Sequence, residues 1–363
     1  MARTLKSDAV LFSTTLLLLV IGMAWVYSAS VVAKNADLAI QQGKFLVLGL
    51  TGLFVAMKFD YRRISNRPVL LWVVGVTVAL LVAVLLFGHQ VKGARRWIDV
   101  LGLTFQPSEG AKLVAVAFAA AVIARRLEER EPLEPGLFQA GILVMLLSAL
   151  IFLEPDYGGG LVLLAAAFMM MFVSGLPTKY VVGAMLALPP PLLAVLWFSA
   201  HSQQRLKTWL DPWKDQYGLG FQTIQSWIAL GTGGVWGKGF MASVQKMFYL
   251  PEAKNDYIFA VIAEEQGLVG ATVVLLCFAV IIWRGLRVAR RAPDAFGSLL
   301  AVGITAMLGI PALVNMSVVT GLLPAKGISL PLVSAGGSSL IVSLVAMGVL
   351  LNISQQASAT AVE

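Results

Sequence analysis

The sequence predicts an all-α, polytopic membrane protein. Three observations predict it. Of 363 residues 58% are hydrophobic and only 13% charged, well under the ~25% charge of soluble domains. The apolar residues are gathered into blocks rather than spread at helical or strand periods, and a span needs ~20 such residues to cross ~30 Å of hydrocarbon. Short basic loops separate the blocks. A soluble cytosolic enzyme and a disordered chain are both excluded by these properties.

Ten spans are expected, at 9–30, 43–58, 68–87, 109–124, 136–153, 159–175, 180–200, 258–283, 296–319 and 335–352, within a single membrane domain over 1–363. The first follows Arg3 and Lys6 like a signal peptide, but its apolar stretch exceeds the ~7–15 residues of a signal h-region. It reads as a retained helix. Pro189, Pro190 and Pro191 should kink or break the seventh span. The long connection between the seventh and eighth spans, about 201–257, carries Trp209, Trp213, Tyr217, Phe221, Trp227 and Trp236. Its aromatic content predicts short helices at the membrane surface rather than disorder.

The net charge of +8 comes from 27 basic and 19 acidic residues. The basic residues form no tract, so no nucleic-acid partner is expected. Placing both termini in the cytoplasm puts 14 Lys and Arg inside and 13 outside, close to a tie. The inside set flanks short loops such as Asp60-Tyr61-Arg62-Arg63, as the positive-inside rule expects. Ten of the outside set lie in 88–112 and 201–257, where an anionic substrate would account for them. Cys277 is the sole cysteine, and His89 and His201 are far apart. No disulfide or His-rich metal site follows.

Five groups of residues are candidates for chemistry. Gly93–Asp99 contains Arg95 and Arg96, and Gln106–Lys112 places Glu109 and Lys112 three apart on one helix face behind a candidate N-cap, Ser108. That group is either a capped helix with a local ion pair or a polar cluster facing a cavity. Glu154-Pro155-Asp156 is an acidic turn, either solvated or able to bind magnesium or manganese. Gly231–Gly239 fails as a phosphate loop, since Thr232 stands where glycine is needed and Gly239 follows Lys238. It reads as an interfacial turn, with a pyrophosphate contact through Lys238 as the alternative. Leu250–Gly267 places Asp256 at a helix start, as an N-cap or as a general base beside a cavity. On a continuous helix Asp256, Glu264 and Glu265 cannot all point into one site, at roughly 100° per residue. The small residues of Asn315–Ser339 suit close helix packing, and no serine-nucleophile elbow is present.

Together these segments resemble the SEDS family of cell-wall polymerases (FtsW, RodA and SpoVE). The matching runs are Gly93–Trp97, Gln106–Lys112, Glu154–Asp156, Gln222–Gly239, Leu250–Gly267 and Asn315–Ser339, in the family's order. Gln245–Ala253 and Leu323–Gly327 look closer to FtsW than to RodA. Ala335 stands where a tyrosine is usual, Lys254-Asn255 where His-Thr is common, and Gly110 where a bulkier apolar residue is usual.

The resemblance implies a peptidoglycan glycosyltransferase that polymerises lipid II at the outer face of the bacterial cytoplasmic membrane, in division or elongation. A class B penicillin-binding protein transpeptidase and other division or elongation proteins would be its partners. Asp256 matches the family's essential aspartate and is the expected base. Arg95, Arg96, Glu109, Lys112, Asp156, Lys246, Lys326 and Ser334 are the expected substrate-binding residues. A magnesium or manganese ion is expected as a possible cofactor, with Asp156 and Asp256 as candidate ligands. A lipid II flippase and a non-catalytic scaffold for a transpeptidase are the rival readings.

Overall fold

The computed structural model describes residues 7–32, 36–91, 94–100, 103–180, 183, 200–247 and 249–360. Its helices are α1 (Ala9–Val32), α2 (Ala36–Lys58), α3 (Arg67–Phe87), α4 (Pro107–Glu128), α5 (Glu134–Leu153) and α6 (Tyr157–Val173). After these come α7 (Ala200–Leu210), α8 (Phe221–Gly233), α9 (Ile258–Arg291), α10 (Ala295–Val319) and α11 (Gly337–Thr360). Among the described residues seven helices are long and apolar enough to cross a membrane, α6 being shorter. The helix α4 is long but charged at both ends, by Glu109 and Lys112 and by Arg125 and Arg126. Each expected span meets a helix except 180–200, which with its proline run lies almost wholly outside the described residues. The chain is a mostly helical, multi-pass membrane protein.

The helix α10 is the centre of the bundle. It packs against α4, α6 and α9, while α11 lies along α2. Lipid offers apolar surface as good as a neighbouring helix does, so close approach decides packing. The alanines of α4, from Ala111 to Ala124, and the glycines of α10 allow that approach. By contrast α3 turns Trp72 and Phe87 outward.

Two features depart from an all-α reading. Residues before α4 form a three-stranded antiparallel sheet: β1 (His89–Val91), β2 (Ala94–Val100) and β3 (Leu103–Phe105). His89 faces Trp97 across one ladder and Ile98 faces Phe105 across the other. Aromatic and β-branched residues there favour a pleated strand, a signal that span-length hydropathy averages away. The second departure is in α9, which bends at Gly267 with φ +65°. A side chain at that position would strike the Val235 carbonyl. The turn 234–239 docks on this bend, with the amides of Lys238, Gly239 and Leu268 bonded to the carbonyls of Glu264, Glu265 and Gly234 at 2.9–3.0 Å. That docking is the structural use of the glycine-rich run.

The connection from 201 to 257 holds α7, a 3-10 turn at Pro212–Asp215, α8 and a series of turns. Trp209 Nε1 donates to the Gly321 carbonyl at 2.9 Å, and the Ser226 hydroxyl donates to that of Val319 at 2.6 Å. These bonds fasten α7 and α8 to the end of α10.

Candidate functional site

A cavity of about 380 Å³ opens between α4, the turn before α6, the turn before α9, and the segment joining α10 to α11. Asp256 stands in its wall, and the backbone around it is held by other elements. The carbonyl of Lys254 accepts from the Ala335 amide at 3.0 Å, that of Asn255 from the Ser334 hydroxyl at 2.6 Å, and that of Asp256 from Asn315 Nδ2 at 2.7 Å. Asn315 Nδ2 also donates to the Ile328 carbonyl at 2.7 Å. Three consecutive peptides are thus anchored by α10 and by the segment after it. Gly327 completes the wall, since a Cβ there would lie 2.9 Å from Asp256 Oδ2.

Asp256 is not a helix N-cap. The cap position of α9 is Tyr257, with no side-chain cap bond. Likewise Gln106, not Ser108, occupies the cap position of α4, because Pro107 starts the helix. The Ser108 hydroxyl lies inside the first turn and accepts from Gln106 Nε2 at 3.0 Å.

Glu109, Lys112, Asp156 and Arg96 line the same cavity as Asp256. Lys112 Nζ and Glu109 Oε1 pair at 2.7 Å. Asp156 caps α6, its Oδ1 accepting from the Gly159 amide at 3.0 Å and its Oδ2 from Gln106 Nε2 at 3.3 Å. Arg96 donates to the carbonyls of Glu154 and Pro155, so its guanidinium closes the end of α5. Arg95 is exposed on β2 and does not line the cavity.

Two expected substrate-binding residues are placed elsewhere. Lys246 is buried, its Nζ 2.6 Å from Glu265 Oε1 and 2.7 Å from the Ser28 hydroxyl on α1. A desolvated ammonium needs such a partner, and its position takes it out of the cavity. The Ser334 hydroxyl donates to the Asn255 carbonyl and accepts from the Leu330 amide at 2.8 Å. Both its functions are used by the backbone, so it shapes the turn rather than facing the cavity. Lys238 pairs with Glu264 at 2.6 Å, which also removes it from phosphate contact. Lys326 lines a second, smaller cavity, of which Asp256 and Gly327 form the shared wall.

Three residues outside the expected set shape the site. Lys254 lines the main cavity, Arg205 lines the smaller one, and Asn315 anchors the turn. A cation at the edge of an amphipathic helix, as Arg205 is on α7, carries little signal in sequence. Behind the cavity Glu154 is fully buried, and neither carboxylate oxygen has a hydrogen-bond partner. Burial, reinforced by the charge of Asp156 and opposed by Arg96, pushes its carboxyl up to about 8. Among the described residues no three His, Cys, Asp or Glu side chains gather to hold a metal ion.

A helix bundle with a charged cavity beneath an anchored acidic turn defines a polytopic membrane protein with a built polar site. Residues 8–359 match the sequence model of the FtsW/RodA/SpoVE family, described as cell cycle protein, and the chain belongs to that family. It is 40% identical over 360 residues to a probable peptidoglycan glycosyltransferase FtsW of Geobacter sp. (strain M18), covering 98% of each chain. Stage V sporulation protein E of Bacillus subtilis (strain 168) is 39% identical over 354 residues, covering 96% of this chain and 97% of that one. Among solved structures, a chain of a peptidoglycan synthase complex that coordinates polymerisation and crosslinking superposes with TM-score 0.78 at 29% identity, covering 97% of this chain and 99% of its own. The rod shape determining protein RodA of Thermus thermophilus does so with TM-score 0.71 at 27% identity, covering 98% of each.

Proposed function

We propose that the chain is a peptidoglycan glycosyltransferase that polymerises lipid II at the outer face of the bacterial cytoplasmic membrane, with both termini in the cytoplasm. Family membership and the names of its relatives support this reading. The observation that carries it is Asp256, set in a cavity wall by three consecutive anchored carbonyls. A general base must hold one geometry toward the proton it removes, and this turn provides it.

In the reaction the acceptor sugar's 4-hydroxyl gives its proton to Asp256 as its oxygen attacks the donor's anomeric carbon. The bond from that carbon to the diphosphate oxygen breaks, and undecaprenyl diphosphate leaves with the electron pair. Attack by one base with no enzyme nucleophile inverts the anomeric centre. Glu109 is engaged by Lys112, and Asp156 by the start of α6. Neither carboxylate is placed as a nucleophile.

The chain's described residues form no cage for a divalent cation. Magnesium is commonly held by one or two carboxylates together with substrate phosphates, and Asp256 with the donor diphosphate would be such a set. No step above depends on it. A class B penicillin-binding protein transpeptidase is the proposed partner, in division or elongation.

The test is polymerisation of labelled lipid II by the purified protein in lipid nanodiscs, with and without a partner transpeptidase and with and without manganese. The proposal expects glycan strands with release of undecaprenyl diphosphate. Translocation of lipid II in vesicles without polymer would favour a flippase. Partner binding without either activity would favour a scaffold.

A further inference from the structure

At the end of the bundle opposite the Asp256 turn, the fold treats its arginines in two ways. Arg284 pairs with Asp8 at 2.9 Å and stacks over the Trp283 ring at 5.4 Å. Arg62 is engaged by Asp294, Arg125 by the Ser65 carbonyl and Arg126 by Glu131. Arg287, Arg290 and Arg291, in the last turns of α9, differ from these. Among the described residues none of the three has a side-chain hydrogen bond or an ion pair. Asp294, the next carboxylate along the chain, is taken by the Tyr61 hydroxyl, Arg62 and the Gly297 amide.

With Trp283 these three arginines line a recess of about 300 Å³, and no carboxylate is among its described lining residues. It has room for about ten waters at ~30 Å³ each, the size of a headgroup rather than of a lone ion. Its depth follows from helix geometry. Trp283 lies 25 residues after Ile258, a rise of ~38 Å at ~1.5 Å per residue before the bend at Gly267 is allowed for. The hydrocarbon layer is ~30 Å thick. Trp283 therefore falls at the far membrane–water boundary, where tryptophan is enriched, and Arg287–Arg291 lie beyond it at headgroup level. Spacing sets the face. Val269, Leu276 and Trp283 recur every seven residues and are exposed, and the exposed Arg290 continues the row. An apolar strip thus leads from the recess into the hydrocarbon.

We propose that this recess holds the phosphate headgroup of an anionic phospholipid, with an acyl chain lying along Trp283, Leu276 and Val269. The leaflet is the one opposite the Asp256 turn, which is the cytoplasmic leaflet under the topology proposed above. Guanidinium groups grip phosphate oxygens in pairs, and basic recesses at this level suit anionic headgroups. Arginines in a last turn also complement the helix dipole, but that role asks only for charge and uses neither the tryptophan nor the apolar row. A free phosphate or an acidic protein segment would match the arginines and leave the row uncovered. Because α9 runs from the Asp256 turn to this recess, a headgroup held here fixes the depth of the helix from the end remote from the chemistry.

Native mass spectrometry of the full chain in detergent, titrated with phosphatidylglycerol or phosphatidylcholine, tests the assignment. It needs no lipid II, so its failure and the failure of the polymerase reading are separate results. Wild type should bind phosphatidylglycerol at least about tenfold more tightly than phosphatidylcholine. Arg287→Gln/Arg290→Gln/Arg291→Gln should weaken phosphatidylglycerol about a hundredfold, and Arg290→Gln alone about fivefold. Arg63→Gln/Arg67→Gln/Arg130→Gln, which removes the same charge from the same end, should bind as wild type does. Arg287→Lys/Arg290→Lys/Arg291→Lys should keep part of the affinity, and circular dichroism establishes that each variant is folded. Phosphatidylglycerol with a photoreactive acyl chain should label the Val269–Trp283 row in wild type. Unchanged binding by the triple glutamine variant of α9, or an equal loss in the control variant, would overturn the site. Displacement of phosphatidylglycerol by equimolar inorganic phosphate or hexaglutamate peptide would give the recess to a free anion or an acidic protein segment, and would overturn the lipid assignment.

Discussion

Asp256 and the pair Glu264–Glu265 lie within ten residues of one another, yet the fold uses them in opposite ways. Glu264 and Glu265 are fully buried and held by Lys238 and Lys246. Glu264 also accepts from the Ser243 hydroxyl at 2.5 Å and from the amides of Val244 and Gln245 at 3.1 and 3.2 Å. Those acids fasten the turns of 234–246 to α9 and, through Ser28, to α1. At Asp256 it is the backbone that is fastened, and the carboxylate stands between two cavities. The difference separates an acid used for assembly from one positioned for chemistry.

The largest effect separating the two regions should come from Asp256→Asn, which should lower lipid II polymerisation at least about a hundredfold, the usual worth of a general base, with little change in thermal stability. Lys246→Met should do the reverse. Leaving Glu265 buried without its cation should cost about 3–5 kcal/mol, read as a lower unfolding temperature in detergent. The comparison sharpens with Asn315→Ala and Ser334→Ala, which release single anchors of the Asp256 turn. Each should cost roughly 1–3 kcal/mol in stability and reduce kcat for polymerisation more than it changes KM.

The smallest effect concerns Glu154 and depends on pH. Its carboxyl titrates near 4.5 when exposed and is pushed up to about 8 in the fold. Between those values the folded chain keeps a proton that the unfolded chain releases, so this group makes stability fall as pH rises from about 4.5 to about 8. Glu154→Gln should flatten that part of the pH–stability curve, with its unfolding temperature gaining on wild type toward pH 8. An unchanged slope would show that Glu154 is ionised in the native protein.

Sequence made the apolar elements legible because a membrane span is a long, local signal. The ends of α1, α3 and α5 lie within about two residues of the expected spans. The sheet before α4 was not legible, as its strands are short and lie beside span-length apolar blocks. Within the site, Glu109 and Lys112 were legible as a helical pair because spacing fixes their relation. The placing of Lys246 and Ser334 was not legible, because their partners, Ser28 and Asn255, are supplied by distant elements. The same is true of the anchoring by Asn315, which bonds a carbonyl 59 residues away. Arg205 gave no local signal, and only the fold brings it beside Lys326.

The most direct test compares Asp256→Asn, Lys246→Met and wild type in one assay, each purified, shown to be folded by circular dichroism, and supplied with labelled lipid II at a temperature below the unfolding of the weakest. The account predicts that Asp256→Asn makes no glycan above background, and that Lys246→Met, though less stable, polymerises within a few-fold of wild type. Polymer formed at the wild-type rate by folded Asp256→Asn would contradict the assignment of Asp256 as the base.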